Sequence, residues 1–336
     1  MILKIKINSF YKNINNFIKM DTKMDTNSDT NSDTKVDTNN NCVIGLCVYN
    51  NERGLPSVLS NIVAMSQSKV FDKFTVVAYY DTSSDKSYSI LESFKNQHSN
   101  SGSTLIETVI ISKKTNDFRM SFGNATRVLD KSRTMRIAAA RNEILNYMRF
   151  AHKQDQCKNN KYFIMMDSNE YACVGKINID ALREALQRSD EWDSISFDRE
   201  AGYYDYWALS FDPHIYSFYH VQNKNDTLNK MVAEFATKLN ESRNSRELIP
   251  VYSAFNGFAI YKTSMFLNCS YSSFIHIHLF PKQLLPAKIV NYFKNDCEHR
   301  KFHLEAIKKN GARIMVSPLS IFYKLPVPNP RLRGPA

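Results

Sequence analysis

From Val43 to Asp167, short apolar runs alternate with stretches of helical periodicity, and no other feature constrains the fold as much. The runs 43–49, 74–80, 104–112 and 162–166 are too short for helices and are bounded by polar residues, so they predict strands. Between them, Leu55, Val58, Leu59, Ile62 and Val63 share one helical face, 87–96 reads as a helix, and 134–150 as a longer one. Strands of nearly continuous apolar residues separated by helices predict an α/β fold: a Rossmann-like, mostly parallel sheet flanked by helices. Ligands of such sheets sit beyond the C-terminal strand ends. The runs here lead into polar loops that carry Asn50 and Glu52, Asp81 and Asp85, and Asp167 and Asn169. The second half is less regular. Leu228, Met231, Val232, Phe235 and Leu239 mark an amphipathic helix, 258–261 a strand, 296–310 a helix and 313–316 a last strand, with no sign of a second domain.

This domain is expected over 42–325. Ahead of it, an Asp-Thr unit recurs at Asp21, Asp25, Asp29, Asp33 and Asp37 in a stretch with almost no apolar residue to bury, so 1–41 is expected to be disordered. A calcium-binding repeat would need glycine turns or paired carboxylates, which this stretch lacks. The tail 326–336, rich in proline and arginine, is expected to be extended.

The net charge of +11 favours an anionic partner: nucleic acid, a membrane surface or a phosphate-bearing substrate. No apolar window reaches the ~18 residues of a membrane span, and the N-terminus lacks the apolar core of a signal peptide. The 6 cysteines contain no CxxC pair, so reduced thiols and a soluble, cytoplasmic protein are expected.

Four segments carry candidate chemistry. The strand 162–166 ends in Asp167-Ser168-Asn169-Glu170, where carboxylate and amide oxygens can hold a hard divalent cation against a departing pyrophosphate; an ordinary strand-to-loop turn uses the same residues. In the helix that follows Arg133, small alanines permit close packing on the sheet, and Arg133, Arg136 and Arg141 can reach phosphates; the alternative is a solvated basic face. His299 and His303 stand four apart on one helical face, a metal-binding spacing, with Glu298 beside them as a possible general base; a solvated helix start reads the same way. In Tyr203-Tyr204-Asp205-Tyr206-Trp207, rings beside a carboxylate suit sugar recognition, and a core strand of large aromatics is the other reading. The pair His276 and His278 fits strand alternation better than a metal site.

In their order along the chain, these segments resemble the GT-A-fold glycosyltransferases, the nucleotide-diphospho-sugar transferases. The resemblance runs from about Cys42 to Tyr323. Among these enzymes the chain looks most like a branch that includes the fungal capsule-associated mannosyltransferase-like proteins. The marks are Leu46-Cys47-Val48-Tyr49-Asn50-Asn51-Glu52, the Arg-x-x-x-Ala-x-x-Arg-Asn helix, the strand into Asp167-Ser168-Asn169, Tyr203-Tyr204-Asp205-Tyr206-Trp207-Ala208, Phe255-Asn256-Gly257-Phe258 and Cys297-Glu298-His299. The resemblance implies transfer of a sugar from a nucleotide-diphosphate sugar to a glycan or glycoprotein, with Mn²⁺ or Mg²⁺ on the pyrophosphate. It implies donor contacts at Asn50, Glu52, Asp81, Arg133, Arg136 and Arg141, and a metal held by Asp167, Asn169, His299 and His303. Glu298 would be the base, and Tyr204, Asp205, Trp207, Asn256 and Gly257 would meet sugar or acceptor. Asn169 stands where the family's Asp-x-Asp motif has its second Asp, so a charge is missing there.

Two rival functions come from other classes: a degenerate transferase that binds glycans without transfer, and a basic nucleic-acid-binding protein. The latter accounts for the charge, but no RNA-binding or helix-turn-helix signature accompanies it, and nucleic acid is not the expected partner. The Asn- and Lys-rich, Gly-poor usage is that of AT-rich genomes, as in some large DNA viruses and protists. A viral source would place the protein in the host cytoplasm or the virion.

Overall fold

A computed structural model describes residues 40–99, 105–113, 133–154, 160–280 and 295–323. The Asp-Thr repeats from Asp21 to Asp37 and the tail from Pro326 lie outside these residues. The described part forms one sheet of 8 strands in the order β3-β2-β1-β4-β7-β5-β8-β6. Its strands are β1 (Cys42–Val48), β2 (Phe74–Asp81), β3 (Ile106–Lys113), β4 (Tyr162–Asp167), β5 (Ser194–Asp198), β6 (Ile249–Val251), β7 (Phe258–Lys262) and β8 (Ile314–Ser320). The long helices are α1 (Leu55–Gln67), α2 (Ser87–Ser99), α3 (Arg133–Lys153), α4 (Ile179–Gln187), α5 (Lys224–Ser245) and α6 (Glu298–Asn310).

The first half is the parallel sheet expected: β1 pairs with β2 and β4, and β2 with β3, all parallel. The second half is mixed. β7 runs antiparallel between β4 and β5, and β6 lies antiparallel on β8, while β5 and β8 are parallel. Two reversals in succession restore direction, so β5 points the same way as β4. The C-terminal ends of β1, β2, β4 and β5 and the start of β7 therefore share one edge of the sheet.

Alternation along each buried strand sends side chains to two cores. On one face Val43, Val77 and Phe163 pack with Ile144 and Met148 of α3, Phe235 of α5 and Phe302 of α6. On the other, Ile44, Leu46, Val76 and Ile164 pack with Leu55, Val58 and Ile62 of α1, Leu91 of α2 and Leu182 of α4. The helix α3 comes unusually close to β1 because Gly45 lies beneath it: a Cβ there would stand 2.6 Å from the Met165 sulfur and 2.9 Å from Ile144 Cγ2. That approach carries the first turns of α3, with their arginines, to the strand ends. Among the described residues no helix is long and apolar enough to cross a membrane.

Candidate functional site

At the shared edge, four side chains from three elements converge. Asp167 ends β4, Glu298 and His299 open α6, and Arg141 comes from the third turn of α3. Arg141 Nη2 donates to Asp167 Oδ1 at 3.0 Å, and its Nη1 contacts both Glu298 Oε1 and His299 Nε2. The Arg141 guanidinium also lies over the Phe255 ring, 4.5 Å from its centroid. Burial opposes the Arg141 charge, but Glu298 and Asp167 outweigh it and hold the guanidinium firmly protonated. Burial likewise pushes the Asp167 and Glu298 carboxyls above the ordinary carboxylate range, with Arg141 pulling each back. Burial and the nearby Arg141 keep His299 neutral, well below the usual histidine range. The Asp167 side chain remains 25% exposed, so this cluster opens to solvent through Asp167.

Asp205 stands on the far side of Asp167. The turn 203–208 is held from beneath: Asn256 Nδ2 donates to the Phe197 carbonyl at 2.8 Å, while its Oδ1 accepts from the backbone of Tyr204 at 3.1 Å and of Asp205 at 3.3 Å. The buried Arg300 adds a second hold. Its Nε donates to both Asp296 oxygens, and Nη2 donates to the Trp207 carbonyl at 2.6 Å. Asp205 Oδ1 accepts from the Ala208 backbone at 3.2 Å. Burial, reinforced by the Asp167 charge, pushes the Asp205 carboxyl up to about 6. Gly257, at φ 84°, passes so close that a Cβ would stand 2.8 Å from the Tyr204 hydroxyl and 2.7 Å from Ala172 Cβ. Its carbonyl accepts from the Asp167 backbone at 2.9 Å and from the Cys173 thiol at 2.8 Å.

On the other side of Asp167, a polar cavity of about 280 Å³ lies between the β1, β2 and β4 loops, lined in part by Asn50, Glu52, Asp85 and Asn169. Here Asn50 and Glu52 join the loops. Asn50 Oδ1 accepts from the Ser84 backbone at 2.9 Å, and Glu52 Oε2 from that of Lys86 at 3.1 Å. Ser168 adds a third tie, donating to the Cys47 carbonyl at 2.6 Å. Asp81 is buried at the end of β2. Arg136 lies over the exposed Tyr49 ring at 5.2 Å, and its buried Nε has no hydrogen-bond partner among the described residues. Arg133 is exposed, and its charge acts on both Asp167 and Glu298.

Of the four residues expected at a metal, Asp167 and His299 both meet Arg141, whereas Asn169 and His303 take other partners. Asn169 Oδ1 accepts from the Tyr171 and Ala172 backbones, both at 2.9 Å, closing its own turn. The His303 ring is shared between Ser253 Oγ at 3.0 Å and the Tyr261 hydroxyl at 3.2 Å. Among the described residues no group of three or more His, Cys, Asp or Glu side chains could hold a metal ion. The cation set among Asp167, Glu298 and His299 is Arg141, which is buried and ties α3 to β4 and α6. The segment 203–208 is a turn, not a strand, because Asn256 and Arg300 satisfy its backbone from below. His276 precedes a 3-10 turn, Ile277–Leu279, and its Nε2 meets Ser272 Oγ at 2.9 Å, so these two histidines share no strand. Sequence reasoning passed over Arg199 and Arg300, whose burial no local pattern announces.

No protein-family model matches the chain, and no curated protein matches it. Solved structures do. The crystal structure of S. aureus TarS 1-349 is similar at 17% identity and a TM-score of 0.41 over 84% of this chain and 60% of that one. A further S. aureus TarS structure matches at 15% identity and a TM-score of 0.41, over 84% of this chain and 36% of that one. The mannosyltransferase PcManGT from Pyrobaculum calidifontis, in complex with GDP-Man and Mn2+, matches at 12% identity and a TM-score of 0.44, over 97% of this chain and 65% of that one. The chain thus spans between 36% and 65% of the length of these solved chains.

Proposed function

We propose that the chain is a glycosyltransferase that takes a sugar from a nucleotide-diphosphate donor and passes it to a hydroxyl of a glycan or glycoprotein. The observation that carries this reading is the row of features along one sheet edge. A polar cavity at the β1 and β2 loops, a carboxylate at the end of β4, and an aromatic turn with a second carboxylate follow one another in that order. Such a row suits a ligand with a polar head, an anionic middle and a sugar end, lying across the strand ends. The nucleotide occupies the cavity beside Asn50, Glu52 and Asp81. Arg133 and Arg136 face the diphosphate, the latter with a buried nitrogen still to be satisfied. The sugar lies against Tyr204, Asp205 and Trp207, above Asn256 and Gly257.

Transfer needs a base for the acceptor hydroxyl. Glu298 is tied to Arg141, so taking a proton there would break a buried ion pair. Asp205 carries no such cation, its Oδ2 takes no hydrogen bond among the described residues, and its affinity for a proton is raised toward neutrality. The acceptor oxygen gives its proton to Asp205 and bonds to the anomeric carbon. The bond from that carbon to the diphosphate breaks, and the diphosphate leaves with the electron pair. Glu298 acts one step back, by holding Arg141 against Asp167. A Mn²⁺ or Mg²⁺ ion is what the resemblance to the GT-A enzymes implies, yet Asn169 and His303 do not fit it, and no step here runs through one. The motifs resemble those of the fungal capsule-associated branch, so mannosyl donors belong in the first screen. The test is release of nucleoside diphosphate from a panel of nucleotide sugars, with and without Mn²⁺. Turnover of one donor supports the reading, and no turnover or binding of any donor removes it.

A further inference from the structure

Three arginines are deeply buried near this edge, and two have carboxylate partners. Arg141 meets Asp167 and Glu298, and Arg300 meets Asp296 at 3.0 Å. The third, Arg199, follows the last residue of β5, is only 3% exposed, and has no ion pair among the described residues. Two of its guanidinium nitrogens, Nε and Nη2, are buried without a hydrogen-bond partner among the described residues. The neighbouring Asp198 gives one oxygen, Oδ2, to Arg243. Its Oδ1 is buried without a hydrogen-bond partner among the described residues, and the Arg199 guanidinium charge acts on this carboxyl without a hydrogen bond or ion pair to it. The Arg199 guanidinium also lies against the face of Tyr204, 4.9 Å from the ring centroid.

A buried guanidinium with unmet donors is costly, because each unsatisfied donor loses its water without replacement and the charge is left unpaired. Positions of this kind persist where a ligand completes them. The location narrows the ligand. β5 lies two strands beyond β4, on the side away from β1 and β2, so Arg199 is across Asp167 from the polar cavity. Its charge is nonetheless felt by Asp167, Tyr204 and Cys173, which places the guanidinium beneath the aromatic turn and inside the site.

We propose that Arg199 is an oxyanion-binding residue, whose planar fork takes a phosphate or carboxylate group at the sugar end of the site. Position favours an anion on the acceptor or on the transferred sugar over the donor's diphosphate. That assignment of source rests on the glycosyl-transfer reading, whereas the oxyanion site itself does not.

The test is calorimetric titration of the full chain and of Arg199→Gln and Arg199→Lys. The probes are inorganic pyrophosphate, GDP and UDP, the acidic sugars glucuronate and mannose 6-phosphate, and neutral methyl mannoside. Arg199→Gln is expected to weaken at least one acidic sugar about tenfold or more, while GDP and UDP change less than about twofold. Arg199→Lys should recover only part of the loss, because a point charge lacks the fork. A loss confined to pyrophosphate and the nucleotides keeps the oxyanion site and moves its anion to the donor. Anion binding that depends on Arg199, in a protein that binds no nucleotide, keeps this site while removing the transferase reading. Binding of all the probes unchanged in both variants, or no binding of any anion by the wild type, overturns it. Circular dichroism and melting establish that each variant is folded; should Arg199→Gln fail to fold, Arg199→Lys keeps the charge and carries the same comparison.

Discussion

Arg141 and Asp167 face each other at 3.0 Å between a helix and a strand end, and the same guanidinium reaches Glu298 at the start of a third element. One buried cation thus joins α3, β4 and α6. Removing it leaves the buried Glu298 and the part-buried Asp167 uncompensated, so Arg141→Ala should cost ~3 kcal/mol, read as a fall in the urea midpoint at unchanged slope. A loss below about 1 kcal/mol would show that the cluster is solvated.

Asn169 closes its own turn with two backbone bonds, which predicts a structural effect only. Asn169→Ala should cost about 1 kcal/mol. Asn169→Asp keeps an oxygen that can accept both backbone bonds and should leave Mn²⁺ affinity within about twofold of wild type by calorimetry. A large gain in Mn²⁺ affinity would restore Asn169 to a metal shell.

Gly257 combines a φ of 84° with the near approach of Tyr204 and Ala172. Gly257→Ala should therefore cost about 1–3 kcal/mol and displace the aromatic turn. Donor affinity measured on the folded fraction should drop as well. An unchanged melting temperature would contradict the close contact.

Asp193 joins three strands near their opposite ends, accepting from Lys262 Nζ at 2.9 Å and from the backbone and Nε of Arg313, both at 2.9 Å. Burial alone would raise its carboxyl, but the bonds from Arg313 and Lys262 outweigh burial and hold it below the ordinary value. A depressed carboxylate contributes stability that is present above its unfolded pKa, near 3.9, and is lost as pH falls through the folded value. Wild type should lose stability on acidification below about pH 4 more steeply than Asp193→Asn, which lacks that titration. Parallel pH dependences in the two proteins would remove Asp193 from the account.

Half of this architecture is legible in the sequence. The first four strands are nearly continuous apolar runs with helices between them, and their ends mark the ligand edge, down to Asp167. The order of the second half is not, because β5 and β6 have 5 and 3 residues and reverse partners within a single sheet, which no periodicity records. In the site, the nearness of Asp167, Glu298 and His299 is implied by the resemblance to the GT-A enzymes, not by the residues' spacing. Their partner is implied by neither: a lone arginine in a helix reads alike whether it meets solvent or a buried carboxylate. Asn169 shows the same ambiguity in an amide, since capping a turn and binding a cation use one oxygen. Arg199 and Arg300 look like ordinary surface charges until the fold encloses them.

The central claim is that Asp205 takes the proton of an acceptor hydroxyl while a nucleotide sugar lies along the strand ends. The most direct measurement is the rate of nucleoside diphosphate release from the preferred nucleotide sugar, for wild type, Asp205→Asn and Glu298→Gln, across pH 5 to 8. Wild-type turnover should fall as pH drops below about 6, where Asp205 takes up its proton. Asp205→Asn should lose about 10²–10⁴-fold in kcat with donor affinity nearly unchanged, and its remaining rate should no longer follow that protonation. Glu298→Gln should lose stability before it loses that pH dependence. An Asp205→Asn protein with wild-type kcat and pH profile would contradict the account.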